Sequence, residues 1–237
     1  MVRKIVFGAL TLLLALCLVG CGGKKDEGNA KKDDAPKKEE TMNVEGTADK
    51  AVLAYAQLYA YGIVEDENLA AAGLTDADIK DAQDQVIAPI VDAFKQYPLS
   101  DESVAEMTGE YVAKLHVAMD IKATVKKDDK EHPVVELTAT TINQEGLDDV
   151  VKNNSDLVAL GTAYGELQAQ GLTEEQLKES PEFQQFARES INKFINEFPL
   201  NPEQKLEVTC QPVQGSDGKV HWGPQDPQAI AKFVGGK

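Results

Sequence analysis

Residues 119–141 read MDIKATVKKDDKEHPVVELTATT, and the period of this stretch decides the fold class. Met119, Ile121, Ala123 and Val125 alternate with Asp120, Lys122, Thr124 and Lys126. A period of two puts the first set on one face of a strand and leaves the other face wet. Lys127-Asp128-Asp129-Lys130 is a polar turn, and Val135, Leu137, Ala139 and Thr141 supply the returning strand. The stretch predicts an antiparallel hairpin. The runs on either side are helical in period, so the expected fold is α+β, with helices packed on antiparallel β-hairpins.

Upstream, Val52, Tyr55, Tyr59 and Ile63 recur at helical spacing from Thr47 onward and are expected to form a core-facing stripe. A second helix is expected from Thr75 to about Tyr97, where Pro98 stops it, with Pro89 kinking its middle. Thr75 followed by Asp78 reads as a capping box. Ser100 caps a third helix whose buried face is Val104, Met107, Tyr111 and Leu115. Downstream, a helical stretch is expected over 147–170, weakened by Gly161 and Gly165. Ser180-Pro181 starts a helix toward Phe198, apolar on one side through Phe183, Phe186, Ile191, Phe194 and Ile195. Leu206, Val208 and Cys210 alternate as a strand, Gly215-Ser216-Asp217-Gly218 turns it, and Val220 and Trp222 return. Asp226-Pro227 begins a short closing helix.

Three pieces recur in the same order. Gly73-Leu74-Thr75-Asp76-Ala77-Asp78-Ile79-Lys80 parallels Gly171-Leu172-Thr173-Glu174-Glu175-Gln176-Leu177-Lys178. Tyr97-Pro98-Leu99 parallels Phe198-Pro199-Leu200, and Asn43-Val44-Glu45-Gly46 parallels Asn143-Gln144-Glu145-Gly146. The order suggests a duplicated helix–helix–hairpin unit over 46–143 and 146–237. The reuse of common cap and stop residues is the competing explanation.

The N-terminus has a different character. Arg3 and Lys4 precede an almost wholly apolar run from Ile5 to Val19. At about 15 residues it suits a signal-peptide core better than a permanent span of about 20. It ends in Leu18-Val19-Gly20-Cys21, a tetrad that resembles the lipobox of bacterial lipoproteins. The resemblance implies a diacylglyceryl thioether on Cys21, cleavage between Gly20 and Cys21, and residues 1–20 as signal peptide. Two acyl chains anchor stably where one is marginal, at about 0.8 kcal/mol for each buried CH₂. Residues 21–45 then carry Lys24-Lys25-Asp26-Glu27, Lys31-Lys32-Asp33-Asp34 and Lys37-Lys38-Glu39-Glu40, with 6 lysines against 7 acids and little to bury. Such a segment is expected to be a solvated tether, about 25–30 Å in root-mean-square span.

Charge narrows the partners. The chain carries a formal net charge of −16, and without residues 1–20 it carries −18. The body from residue 46 onward has 16 basic and 33 acidic residues. That surface repels polyanions, so no nucleic-acid partner is expected. With Cys17 in the signal peptide and Cys21 acylated, Cys210 stands alone, so no intramolecular disulfide is expected. Its place in a period-two run predicts an inert core thiol.

Catalytic signatures do not appear. His116, His132 and His221 are scattered, and none lies four residues from another. H-E-x-x-H, C-x-x-C, G-x-S-x-G and Gly-rich phosphate loops are lacking. Asp76, Asp78, Asp81 and Asp84 complement a helix N-terminus without the Gly-turned loop of a calcium hand. Glu65-Asp66-Glu67-Asn68 reads as a solvated loop. No metal, cofactor or catalytic residue is expected.

The tyrosine pair of the first helix, AAGLTDADIK at 71–80, SDESVAEMTGEY at 100–111, and the closing Trp222, Asp226 and Ile230 together resemble uncharacterised bacterial lipoproteins with α+β bodies. The likeness spans most of 47–234 and implies fold and location without an active site. The expected role is a membrane-anchored extracytoplasmic lipoprotein acting as a non-catalytic module for an envelope protein or small ligand. The anchor would sit on the outer side of the cytoplasmic membrane. In a two-membrane envelope the outer membrane is open to it, because Gly22 is not acidic. The alternative is an envelope-polymer hydrolase working through paired carboxylates, distinguishable by a deep pocket with one carboxyl of strongly raised pKa.

Overall fold

The computed structural model describes residues 43–236. The elements run α1 (Ala48–Tyr61), α2 (Asp66–Ala72), α3 (Asp76–Val86), α4 (Ala88–Phe94), α5 (Asp101–Met119), β1 (Lys122–Lys127) and β2 (Val134–Ala139). They continue with α6 (Gln144–Asn153), α7 (Ser155–Ala169), α8 (Glu174–Lys178), α9 (Pro181–Asn196), β3 (Gln204–Gln214), β4 (Val220–Pro224) and α10 (Pro227–Val234). The fold is α+β, as the hairpin period predicts. No described helix is long and apolar enough to cross a membrane.

Both predicted hairpins form, and they join in one antiparallel sheet of order β1-β2-β3-β4. The join is β2 on β3, with Val135 opposite Val208 and Leu137 opposite Leu206. This register puts Val135, Leu137, Ala139, Val208 and Cys210 on one buried face, against which α1 and α10 pack. The opposite face stays polar. There Glu136 sits between Lys126 at 3.0 Å and Lys205 at 3.1 Å, and those two cations hold its carboxyl below the usual range.

A buried glutamine ties distant parts of the chain together. The Gln184 side-chain amide donates to the carbonyls of Pro98 and Leu177, both at 2.9 Å, and its oxygen accepts from Ser100 N–H at 2.8 Å. Ser100 in turn caps α5 by accepting from Ser103 N–H. All of Gln184's strong polar atoms are thereby satisfied inside the protein, as a buried amide requires.

Several boundaries differ from expectation, each for a local reason. The helix expected over 75–97 is two helices, because Pro89 sits at the start of α4 and the chain steps at Ile87. The helix expected over 147–170 begins at Gln144 and breaks at Asn154 rather than near the glycines. Asn154 ends α6 and caps α7 by accepting from Leu157 N–H at 2.9 Å, while its amide reaches Glu197 at 2.7 Å. Residues 66–72, part of which was expected as a loop, form α2, closed by Gly73 at φ +62. Met119 belongs to α5, and Asp120 makes the sharp turn into β1 at φ 43.

The largest correction concerns α1. Its buried face is alanine-rich: Ala48, Ala51, Val52, Ala54, Ala56, Leu58 and Tyr61. Tyr55 and Tyr59 are half-buried, with ring centroids 6.3 Å apart, and Ile63 is 49% exposed. Ala51, Ala54 and Leu58 pack with Ala72 of α2 and Ala82 of α3, while Ala48, Val52 and Ala56 join the main core, so α1 is buried on two sides and its tyrosines lie at the rim. Phe186 on α9 is likewise 37% exposed, so the apolar side of α9 is narrower than its sequence suggests.

Candidate functional site

The most elaborate polar constellation among the described residues surrounds His221 on β4. The ring is 1% exposed. Its Nε2 lies 3.0 Å from both carboxylate oxygens of Asp217, and its Nδ1 lies 3.3 Å from the carbonyl of Ala71. Two glycines make room for it. A Cβ on Gly73 would come within 2.3 Å of the ring, and one on Gly215 within 2.8 Å. Ser216 N–H closes the corner by donating to the Gly73 carbonyl at 3.0 Å.

A second carboxylate stands beside it. Asp78 accepts from the Thr75 hydroxyl at 2.7 Å and the Thr75 N–H at 2.8 Å. Burial works against charge on Asp78, but these bonds and one from the Ser216 side chain outweigh it and hold its pKa below the usual carboxylate range. Asp217 is also held low. The Lys219 N–H is the main cause, desolvation opposes it, and His221 and the Lys219 charge add to the lowering. Both acids are therefore committed acceptors. A general acid needs the reverse, a carboxyl whose proton is retained near neutral pH. The buried ring of His221 has both nitrogens engaged inside the protein, by Asp217 and by the Ala71 carbonyl, so neither is presented to a substrate. The corner reads as a clasp.

The clasp also receives the beginning of the described chain. Glu45, the last residue of the expected tether, lies beside His221 in a parallel bridge. Glu45 N–H donates to the Val220 carbonyl at 2.9 Å, and its carboxylate meets Lys219 at 2.9 Å. Gly46 then turns at φ +74 so closely against Ala71 that a Cβ would lie 2.7 Å from the Ala71 Cα.

A different kind of surface lies between α5 and α9. A shallow groove of about 420 Å³ is lined by Glu110, Ala113, Lys114 and Val117 of α5 and by Asn192 and Ile195 of α9. Val117 is 79% exposed. The groove holds one carboxylate, not two.

The residues singled out in the sequence fall as follows. Leu18, Val19, Gly20 and Cys21 lie outside the described residues. Cys210 is fully buried, and burial pushes its thiol up to about 12, so little thiolate exists at neutral pH. His116 is exposed in the last turn of α5 and packs against Tyr61 in a tilted arrangement, ring centroids 5.2 Å apart. His132 is exposed beside Asp129, which accepts from its backbone N–H at 3.0 Å. Asp78 is the one member of the α3 acid group drawn into a network, while Asp76, Asp81 and Asp84 are exposed. Within 65–68, Asn68 is buried and its amide donates to Gln57 at 3.2 Å and Glu65 at 3.0 Å. Among the described residues, no three His, Cys, Asp or Glu side chains are grouped to hold a metal ion.

Sequence reasoning set His221 aside as one of three scattered histidines. Its nearest signal was Asp217, four residues earlier across a Gly-flanked turn. Nothing in the spacing foretold that Ala71 and Gly73, some 150 residues away, would close over the ring. Comparison with protein-family models, with curated proteins and with solved structures finds no match to this chain.

Proposed function

We propose that this chain is a bacterial lipoprotein, anchored through lipid on Cys21 at the extracytoplasmic face of a membrane, whose α+β body is a non-catalytic binding or interaction module. The observation that carries the anchoring is Leu18-Val19-Gly20-Cys21 at the end of an apolar run about 15 residues long. The near-neutral segment that follows and the acidic body fit a soluble domain held off a membrane surface. Binding is favoured over catalysis by the state of the carboxylates. Those with resolved shifts, Asp78, Asp129, Glu136 and Asp217, are all held low by donors or cations. The hydrolase alternative requires one carboxyl raised next to another.

Cys21→Ala tests the anchor. The wild-type protein should partition into the detergent phase at the mass of a processed, acylated chain, and the variant should remain aqueous or unprocessed. A variant that still enters detergent at the wild-type mature mass would defeat the reading. Crosslinking in intact cells followed by mass spectrometry should then recover an envelope partner through the body.

A further inference from the structure

We propose that Asp217-Gly218 is a covalent modification site, reactive toward succinimide and isoaspartate formation in the open chain and guarded in the folded protein by the His221 clasp. It is the one place in the sequence where Asp or Asn precedes Gly. Glycine has no side chain to shield its nitrogen, so the preceding carboxyl can close on it. The step balances without an oxidant or reductant. The Gly218 nitrogen bonds to Asp217 Cγ, the Cγ–OH bond breaks, and the amide proton and that hydroxyl leave as water. Water then opens the cyclic imide at either carbonyl. Opening at Cγ restores aspartate, while opening at the main-chain carbonyl leaves the backbone running through Cγ as isoaspartate.

Exclusion of water is not what guards the site. Asp217 and Gly218 are both exposed, and a Cβ on Gly218 would meet nothing within 4 Å. The guard is bonding. Gly218 N–H donates to the Gly215 carbonyl at 3.0 Å, so the nitrogen that must attack is engaged within the turn. Asp217 accepts from Lys219 N–H at 3.0 Å, and both its oxygens lie 3.0 Å from Nε2 of His221. Lys219 N–H foremost, these partners favour the carboxylate, a poor electrophile beside the neutral acid that loses water. Gly215 N–H closes the turn on the Lys219 carbonyl at 2.8 Å, and Ser216 N–H ties it to Gly73. Ring closure therefore waits on a local opening of this corner. Isoaspartate adds a methylene to the main chain and takes one from the arm of the carboxylate. That shorter arm no longer serves Lys219 N–H and His221 together, so an opened corner that isomerises stays open.

Incubating the full chain in detergent micelles and neutral water enriched in heavy oxygen tests the site. After digestion in ordinary water, mass spectrometry of the tryptic peptide ending at Lys219 counts each passage through the imide as heavy oxygen at Asp217, and electron-transfer fragmentation separates isoaspartate from aspartate. Denatured wild type should label and isomerise there, and folded wild type at least about tenfold more slowly. His221→Ala should speed the folded protein by about tenfold or more, the factor that matches one lost hydrogen bond to a charged group. Leu160→Ala, fully buried in α7, weakens the fold through a cavity but keeps the clasp, so its rate should stay near that of wild type. Circular dichroism establishes that each variant is folded. Where His221→Ala does not fold, Gly73→Ala stands in for it, because its Cβ would come within 2.3 Å of the ring. An Asp217 that stays unlabelled in the denatured chain would overturn the site. Equal rates in folded and denatured wild type would overturn the guard. So would a clasp variant no faster than wild type, or one no faster than Leu160→Ala.

Discussion

Gly73 and Gly171 stand at two corners written in nearly the same letters and built the same way, yet they carry different burdens. At each, a Gly-Leu-Thr run leaves one helix and begins another. Leu74 N–H donates to the Leu69 carbonyl and Leu172 N–H to the Leu167 carbonyl, both at 3.2 Å, the long closing bond of a Schellman turn. Thr75 N–H is held by Asp78, and Thr173 N–H by Gln176 at 2.9 Å. Both glycines have positive φ, +62 and +94. The difference is what lies above them. Gly73 is roofed by His221, whereas a Cβ on Gly171 would meet nothing within 4 Å. Local sequence specified the turn at both corners, and only tertiary packing made one of them irreplaceable.

That contrast can be broken by experiment. Gly73→Ala should cost about 4 kcal/mol, the sum of a left-handed backbone penalty of about 1–2 and overpacking against a fixed ring of about 1–3. Gly171→Ala should cost only the first part, about 1–2 kcal/mol. Equal losses in denaturant titrations would mean that His221 yields and that the roof is not rigid. His221→Ala should cost about 3 kcal/mol, because it leaves a cavity and strips the ring from Asp217 and the Ala71 carbonyl. In that background Gly73→Ala should become milder than in the wild type. Additive losses in the double variant would show that the two residues do not meet.

The acids sharpen the same comparison through pH. Asp78 is held below its ordinary pKa, so it stabilises the fold fully above the unfolded value near 3.9 and loses that contribution as pH falls through the folded value. Thermal melts of wild type and Asp78→Asn should therefore converge as pH drops from about 5 toward 2. Gln176 does not titrate, so a Gln176→Ala deficit should stay constant over the same range. A gap between wild type and Asp78→Asn that persists at low pH would mean the carboxylate charge is not what holds Thr75.

The smallest effect belongs to the core beside α4. Tyr97 is buried, its hydroxyl is without a hydrogen-bond partner among the described residues, and burial pushes that hydroxyl up to about 12. Tyr97→Phe should leave stability unchanged or raise it by up to about 1 kcal/mol, since an unmet polar group is removed at constant shape. A loss of more than that would reveal a partner for the hydroxyl.

Much of this architecture was legible because its signals are local. The hairpin at 119–141, the Ser100 and Ser180 caps, the Asp226-Pro227 start and the inward Cys210 follow from spacing and residue type alone. The roll of α1 was not legible, because alanines count weakly in any apolar pattern although here they fill its contacts with α2 and α3 as well as the main core. The break at Asn154 was missed for a related reason. Its capping bond to Leu157 is local, but the contact that fixes the break is with Glu197, 43 residues away. The His221 clasp depends wholly on such distant contacts, and a single sequence carries no record of them.

The β2–β3 pairing has a consequence for how the chain reaches its shape. These central strands are separated by residues 140–203, yet β2 pairs along its whole length with the first half of β3, Gln204 to Thr209. The sheet is thus two quickly formed hairpins waiting on one slow closure, and non-local pairing of this kind lowers folding rates. Until β3 arrives, β2 presents Val135, Leu137 and Ala139 along an open edge, the arrangement that invites pairing with another chain. A polypeptide cut before Gln204 should accordingly collect in aggregates, while the full chain refolds in a phase limited by the meeting of its two halves.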